Sequence, residues 1–146
     1  MREILFRGKA NFDGRDGEWI YGGLLPETEN TFPIIVRDYD NDEDWIGVNG
    51  WDTVYPETIG QYTGLTDKNG KKIFEGDIVE GHCHSQWSHR LQRCVVVYDR
   101  DGFESRHYVK QGEVMRYYSY KVLFSKDVEV IGNIHDNPEL LEGDAE

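Results

Sequence analysis

The sequence predicts a mainly β fold, a small barrel-like or two-lobed arrangement of short strands with a short C-terminal helix. Three observations carry that expectation. Runs dense in β-branched and aromatic residues alternate with turn signals every ~8–12 residues, the spacing of an all-β chain and not of βαβ units. Asp13-Gly14, Asp16-Gly17, Asn69-Gly70 and Asp101-Gly102 are short turn pairs. Tyr55–Gly81 packs several tight turns and strand fragments into 27 residues, ending in Gly76-Asp77-Ile78-Val79.

The elements follow in order. Ile4-Leu5-Phe6 opens as a short strand, and Gly8 to Gly17 is a turn-rich connection. Glu18–Leu25 is a strand whose paired Gly22-Gly23 signal a bulge or a close backbone approach. Pro26–Asn30 is a polar turn, and Thr31–Arg37 returns as a strand that Pro33 confines to an edge or to its first residues. Asp38–Asp44 is an acidic loop, followed by strand fragments Trp45–Val48 and Gly50–Tyr55.

Thr58–Thr63 is the next strand. Asp67-Lys68-Asn69-Gly70 is a hairpin turn, whose Asn-Gly pair suits a type I′ turn with both central residues at positive φ. Glu75-Gly76-Asp77 turns the chain again, with glycine permitting the corner. His82–Gln92 is polar and without periodicity, a long loop or irregular hairpin. Arg93–Tyr98 is the clearest single strand, Asp99–Gly102 turns it, and Phe103–Val109 pairs back. Val114–Phe124 alternates as a strand, although Met115, Tyr118 and Val122 also fit a helical spacing. Asp127–Ile134 is a last strand. Asn137 caps a helix of one or two turns that starts at Pro138 and ends near Gly143, with a frayed tail.

A chain of 146 residues suits a single domain over 1–146, with an N-terminal β lobe over 1–56 and a barrel-like lobe over 57–142. The net charge is −12, and residues 1–73 and 74–146 each hold 14 acids and 8 bases. Neither half is a basic module, so direct nucleic-acid binding through phosphate neutralisation is disfavoured. Two cysteines, no leader and no long apolar run point to a cytoplasmic protein with free thiols and no membrane span.

Four motifs then carry a family resemblance. They are Ile4–Lys9; Gly17–Gly22; Thr58–Leu65 running on through Asp67–Val79; and Glu129–Ile134 with Asp136–Leu141. In this order, and over nearly the whole chain, they resemble the YopX family, small proteins found mostly in phages and prophages. The resemblance implies a mainly β fold with minor helix and an intracellular, phage- or prophage-encoded protein. It implies no catalytic residues. His82–Arg93 matches no motif of the family and is particular to this member.

Two clusters invite chemistry. Asp38-x-Asp40-x-Asp42 copies the start of an EF-hand loop, but Glu43 stands where that loop needs glycine and Asn49 where it needs a bidentate glutamate, so a solvated acidic loop is expected. His82, Cys83, His84, His89 and Cys94 form the other. If His82 continues the preceding strand, His82 and His84 share a face and, with His89 and Cys94, supply the donors of a zinc site. The opposing reading is a polar loop with Cys94 in the core. No Gly-x-Ser-x-Gly elbow accompanies Ser85, His89 and Asp77, and Asp136 beside His135 suits helix entry. Trp19, Trp45, Trp51, Trp87, Tyr117, Tyr118 and Tyr120 suit the core or a protein interface. The expectation is therefore a non-enzymatic phage accessory protein that binds a protein partner or itself. The alternatives are a metal-binding protein or metal-dependent enzyme, and an acidic mimic of nucleic acid.

Overall fold

The structure, a computed structural model, describes residues 3–25, 32–42, 45–83 and 89–142; for 38–42 and 45–49 it describes the backbone alone. The chain is mainly β, 58% strand against 6% helical, in antiparallel sheets, and among the described residues no barrel closes. It divides into two compact units, residues 1–62 and 63–146. No helix among the described residues is long and apolar enough to cross a membrane.

In the first unit the strands are β1 (Phe6–Lys9), β2 (Trp19–Leu25), β3 (Ile34–Asp42), β4 (Trp45–Thr53) and the start of β5 (Gly60–Thr66). Their order in the sheet is β4-β3-β2-β1-β5. Ala10, Ile20, Ile35 and Val54 form the core, flanked by Phe6, Phe12, Leu24 and Ile59. Asp52 is buried, and Arg37 and Arg15 both reach its Oδ2, so the charge enters the protein paired.

The expected acidic loop at Asp38–Asp44 is corrected here. Through Asp42 its backbone is strand β3, paired residue by residue with β4 and irregular at Asp38; Glu43 and Asp44 lie outside the described residues. Pairing with the aromatic-rich β4 overrides the low strand preference of aspartate. The two expected fragments Trp45–Val48 and Gly50–Tyr55 likewise merge into one strand, β4, which ends at Thr53, with Val54 bridged to Ala10 beyond it. Pro33 immediately precedes β3, where no ladder amide is needed. Pro56–Thr58 is a 3-10 turn, not strand: Thr58 Oγ1 donates to the Tyr55 carbonyl at 2.6 Å and accepts the Lys9 amide at 2.8 Å.

The second unit continues β5 beside β6 (Lys72–Phe74). Its main sheet has β7 (Asp77–His82), β8 (Leu91–Asp99), β9 (Gly102–Gln111), β10 (Val114–Tyr120) and β11 (Glu129–Asn133), in the order β10-β9-β8-β7-β11. Ile73, Val79, Cys94, Val96, Val122 and Val128 make its core. Asn69 does not take positive φ, so the loop is not type I′; only Gly70 does, at 81°. Asp67 Oδ1 instead accepts the amides of Asn69 and Lys71, each at 2.9 Å, which closes a wider turn. At the next corner Gly76 has φ 89°, and buried Asp77 accepts the Phe74 amide at 2.7 Å.

The C-terminal helix is a single 3-10 turn, Pro138–Leu141, and Asn137 makes no side-chain cap. Its Oδ1 is turned to the Asn133 amide at 3.4 Å, beside Gly132. The expected end near Gly143 and the tail lie outside the described residues. His82–Gln92 is in part strand, since β7 runs through His82 and β8 starts at Leu91.

Gly22 lies where two backbones of the first unit approach closely. A Cβ there would lie 2.0 Å from the Val36 carbonyl oxygen, whereas at Gly23 it would meet nothing within 4 Å. Gly22→Ala is therefore expected to cost about 2–3 kcal/mol, because β2 and β3 must separate. Gly23→Ala should stay within roughly 0.5 kcal/mol of the native protein. Urea unfolding of the two variants checks this, and equal midpoints would refute the close approach.

Candidate functional site

Strand alternation decides what the His82–Cys94 segment can assemble. In β7, Val79 and Gly81 point to the core, and Ile78, Glu80 and His82 to the other face. Cys94 is paired with Val79 and is fully buried among Val79, Val96 and Val128, whereas His82 is paired with Leu91 and exposed. Directly opposed residues share a face, so His82 and Cys94 lie on opposite sides of the sheet and are not brought together. His89 is exposed, and His84 lies outside the described residues. Among the described residues no three His, Cys, Asp or Glu side chains cluster as metal ligands.

His82 has a different companion. The β7–β11 register pairs Glu80 with Glu129 and Val79 with Val130, and continued two residues before the start of β11 it sets Asp127 opposite His82. Asp127 Oδ2 lies 2.6 Å from His82 Nδ1, and its Oδ1 accepts the His82 amide at 3.0 Å. The Ser125 hydroxyl donates to the same carboxylate. The Ser125 and His82 hydrogen bonds, in that order, hold the Asp127 carboxyl well below the ordinary carboxylate range. Aspartate sits between serine and histidine here, so the serine hydroxyl faces the carboxylate and not the imidazole, and the arrangement is not that of an acyl-transfer triad. Sequence reasoning missed this trio because 45 residues separate His82 from Asp127; only the strand register connects them.

The remaining candidates are accounted for locally. Asp77 holds the Phe74 amide, Ser85 and Trp87 lie outside the described residues, and Asp136 accepts from Asn133 Nδ2 at 3.0 Å. Trp19 lies beneath Arg7, 4.5 Å from the ring centroid, and Lys9 approaches the same ring at 5.3 Å. Trp51 is exposed.

The β9–β10 hairpin of the second unit carries several exposed apolar side chains. β10 is the edge strand of its sheet, and residues 114–119 are all exposed. Val114, Met115, Tyr117 and Tyr118 each keep about half of their surface or more in contact with solvent, at 55%, 58%, 50% and 49%. Side-chain contacts tie the hairpin together. Arg106 stacks 4.4 Å from the Tyr117 ring centroid and is ion-paired to Glu104 and Asp99, each at 2.6 Å. The Glu104 hydrogen bond above all pushes the Arg106 guanidinium further up from its ordinary value. Tyr108 and Tyr117 lie 5.7 Å apart on that face.

Charge is also concentrated here. Residues 90–126 hold eight bases (Arg90, Arg93, Arg100, Arg106, Lys110, Arg116, Lys121 and Lys126) against four acids (Asp99, Asp101, Glu104 and Glu113), a net +4. The rest of the chain holds the other 8 bases and 24 acids, a net −16. Counting by halves conceals this contrast, because every base of the second half falls within that segment.

Fold and surface together define a class: an all-β protein of two antiparallel units whose second unit presents an open, aromatic strand edge. The YopX protein family matches residues 6–142, and the chain belongs to that family. A crystal structure of protein EF1440 from Enterococcus faecalis is similar, with a TM-score of 0.59 and 28% identity, over 97% of this chain and 100% of that one. A comparison with curated proteins finds no match.

The depressed Asp127 carboxyl has a definite consequence for acid stability. The unfolded chain takes up this proton at a higher pH than the folded one. The stabilisation is therefore complete at neutral pH and is lost as pH falls through and below the ordinary carboxylate range. Asp127→Asn is expected to flatten the fall in melting temperature between roughly pH 5 and pH 3. Thermal melts across that range check it, and parallel profiles for the two proteins would show that the His82–Asp127–Ser125 contact contributes nothing.

Proposed function

We propose that the chain is a non-enzymatic protein-interaction module that works through the β9–β10 hairpin of its second unit. The observation that carries this reading is the β10 edge, exposed along six consecutive residues and bearing Val114, Met115, Tyr117 and Tyr118. An unpaired strand edge offers backbone hydrogen bonds to an incoming strand, and tyrosine, methionine and arginine are the residues that interfaces favour. A phage or prophage origin and a place in the host cytoplasm belong to the same proposal, supported by family membership. A zinc site on His82, His84, His89 and Cys94 has weaker support, because His82 and Cys94 face opposite ways. Cys94 is also enclosed in an apolar cluster.

A photo-crosslinking amino acid at Tyr118, in the protein expressed in its host, tests the reading. Adducts of defined protein mass are expected at Tyr118 and not at Lys68, an exposed control position in the Asp67–Gly70 turn. Equal yields at the two positions would remove the hairpin as the interaction surface.

A further inference from the structure

We propose that the partner of the β10 edge is a second copy of this chain, joined by antiparallel pairing of β10 with itself about a two-fold axis at Tyr117. This rests on the reading of the hairpin as a protein-interaction surface and specifies its occupant. The argument begins with the direction of the backbone groups. Gln111 and Val114 are paired across the two-residue turn Gly112-Glu113, with Gly112 at φ 65° as the first central residue of a type II′ turn requires. The pair closing such a hairpin exchanges its hydrogen bonds inward. Val114, Arg116, Tyr118 and Tyr120 therefore point their N–H and C=O groups at β9, and Met115, Tyr117 and Ser119 point theirs at the open edge.

Only a few two-fold registers set those outward groups against one another. The register centred on Tyr117 overlaps all seven residues of β10. It pairs Met115 with Ser119 and Tyr117 with itself, so that the outward groups are used along the whole strand. The register centred on Arg116 sets that guanidinium against its own copy, a like-charge pair at the closest cross-strand spacing. The register centred on Tyr118 leaves Glu113 opposite Leu123 and Lys121 opposite Met115.

Side chains favour the same register. It places Arg116 of each copy opposite Tyr118 of the other, which suits a cation over an aromatic face. At both ends it sets Glu113 opposite Lys121. Among the described residues Glu113, Arg116 and Lys121 have no ion-pair partner within the chain. A segment that is net basic thus meets its own copy without placing two cations opposite each other. The result is a continuous sheet in which the two five-stranded sheets join edge to edge.

Charge reversal tests the register. Analytical ultracentrifugation at roughly 100 µM, above the µM dissociation constants of weak interfaces, should show the native protein at twice its 17.0 kDa mass. Glu113→Lys opposes two lysines at both ends, and Lys121→Glu opposes two glutamates. Each alone should weaken the dimer by roughly tenfold or more, two attractions having become repulsions. An equimolar mixture of the two variants restores opposite charges at both ends and should form a heterodimer. The double variant should recover as a homodimer.

A native protein that remains at 17.0 kDa, a dimer indifferent to both reversals, or a mixture that does not recover would each overturn the proposal. A monomer that still gives Tyr118 adducts of another protein's mass would refute the second copy and leave the interaction reading standing. Binding of a fluorescent single-stranded oligonucleotide to the monomer, lost in Arg116→Glu, would refute both.

Discussion

Much of the second unit depends on one buried carboxylate, Asp67. Its Oδ1 accepts the amides of Asn69 and Lys71 inside its own turn, and its Oδ2 accepts the Val130 amide 63 residues away at 3.0 Å. Burial pushes this carboxyl up, but the hydrogen bonds from Val130, Lys71 and Asn69 together outweigh it and hold the carboxyl below its ordinary value. The turn is thus tied to β11, and the Lys68 amide adds a bond to the Val128 carbonyl at 3.0 Å. Because β11 pairs with β7, the same carboxylate helps to set the register that brings Asp127 to His82. A turn that reads as a local hairpin signal is in fact a long-range tie.

That register is also what separates the metal-ligating side chains. Sequence proximity makes His82 and Cys94 look like partners, but proximity along a hairpin does not determine the face. Cys94 is placed by its pairing with Val79, and the core takes it as a small apolar side chain. His82 is placed by the strand end, where Asp127 satisfies both its amide and its ring. A shift of one residue in β8 alone would turn Cys94 to the face that His82 occupies. The chemistry available to this segment is therefore a property of the β7–β8–β11 pairing more than of its histidine and cysteine content.

Features governed by local conformation were legible in the sequence. Gly22 marks a close approach, Gly76 a corner, and the β-branched run ending at Tyr98 a strand, each because one residue's own geometry decides the matter. Features governed by pairing were not. Asp38–Asp42 becomes strand because β4 supplies a partner, and Thr58 leaves the strand because its hydroxyl bridges Tyr55 and Lys9. Asn137 forgoes its cap because Gly132 leaves room for its side chain to turn towards Asn133. The basic character of residues 90–126 was present in the sequence throughout, but it acquires meaning only when β8, β9 and β10 are seen as neighbours.

An open aromatic edge is a hazard that β proteins ordinarily suppress with prolines, bulges or inward-pointing charges. β10 has no proline, and its pairing with β9 runs without a register shift from Val114 to Tyr120. Arg116 is its only charge. Restraint must come from elsewhere, and the net charge of −12 supplies it at long range. Such repulsion acts over about the Debye length, ~10 Å at 0.1 M salt, whereas strand pairing acts at contact. A strongly acidic protein can thus keep an adhesive edge without general aggregation, provided the edge itself is not acidic. That is the distribution found here: the acids lie mainly outside residues 90–126, and the edge carries a cation flanked by one acid and one base placed symmetrically about Tyr117. In the proposed dimer, long-range charge would limit how often copies meet, and local charge would select the register in which they stay.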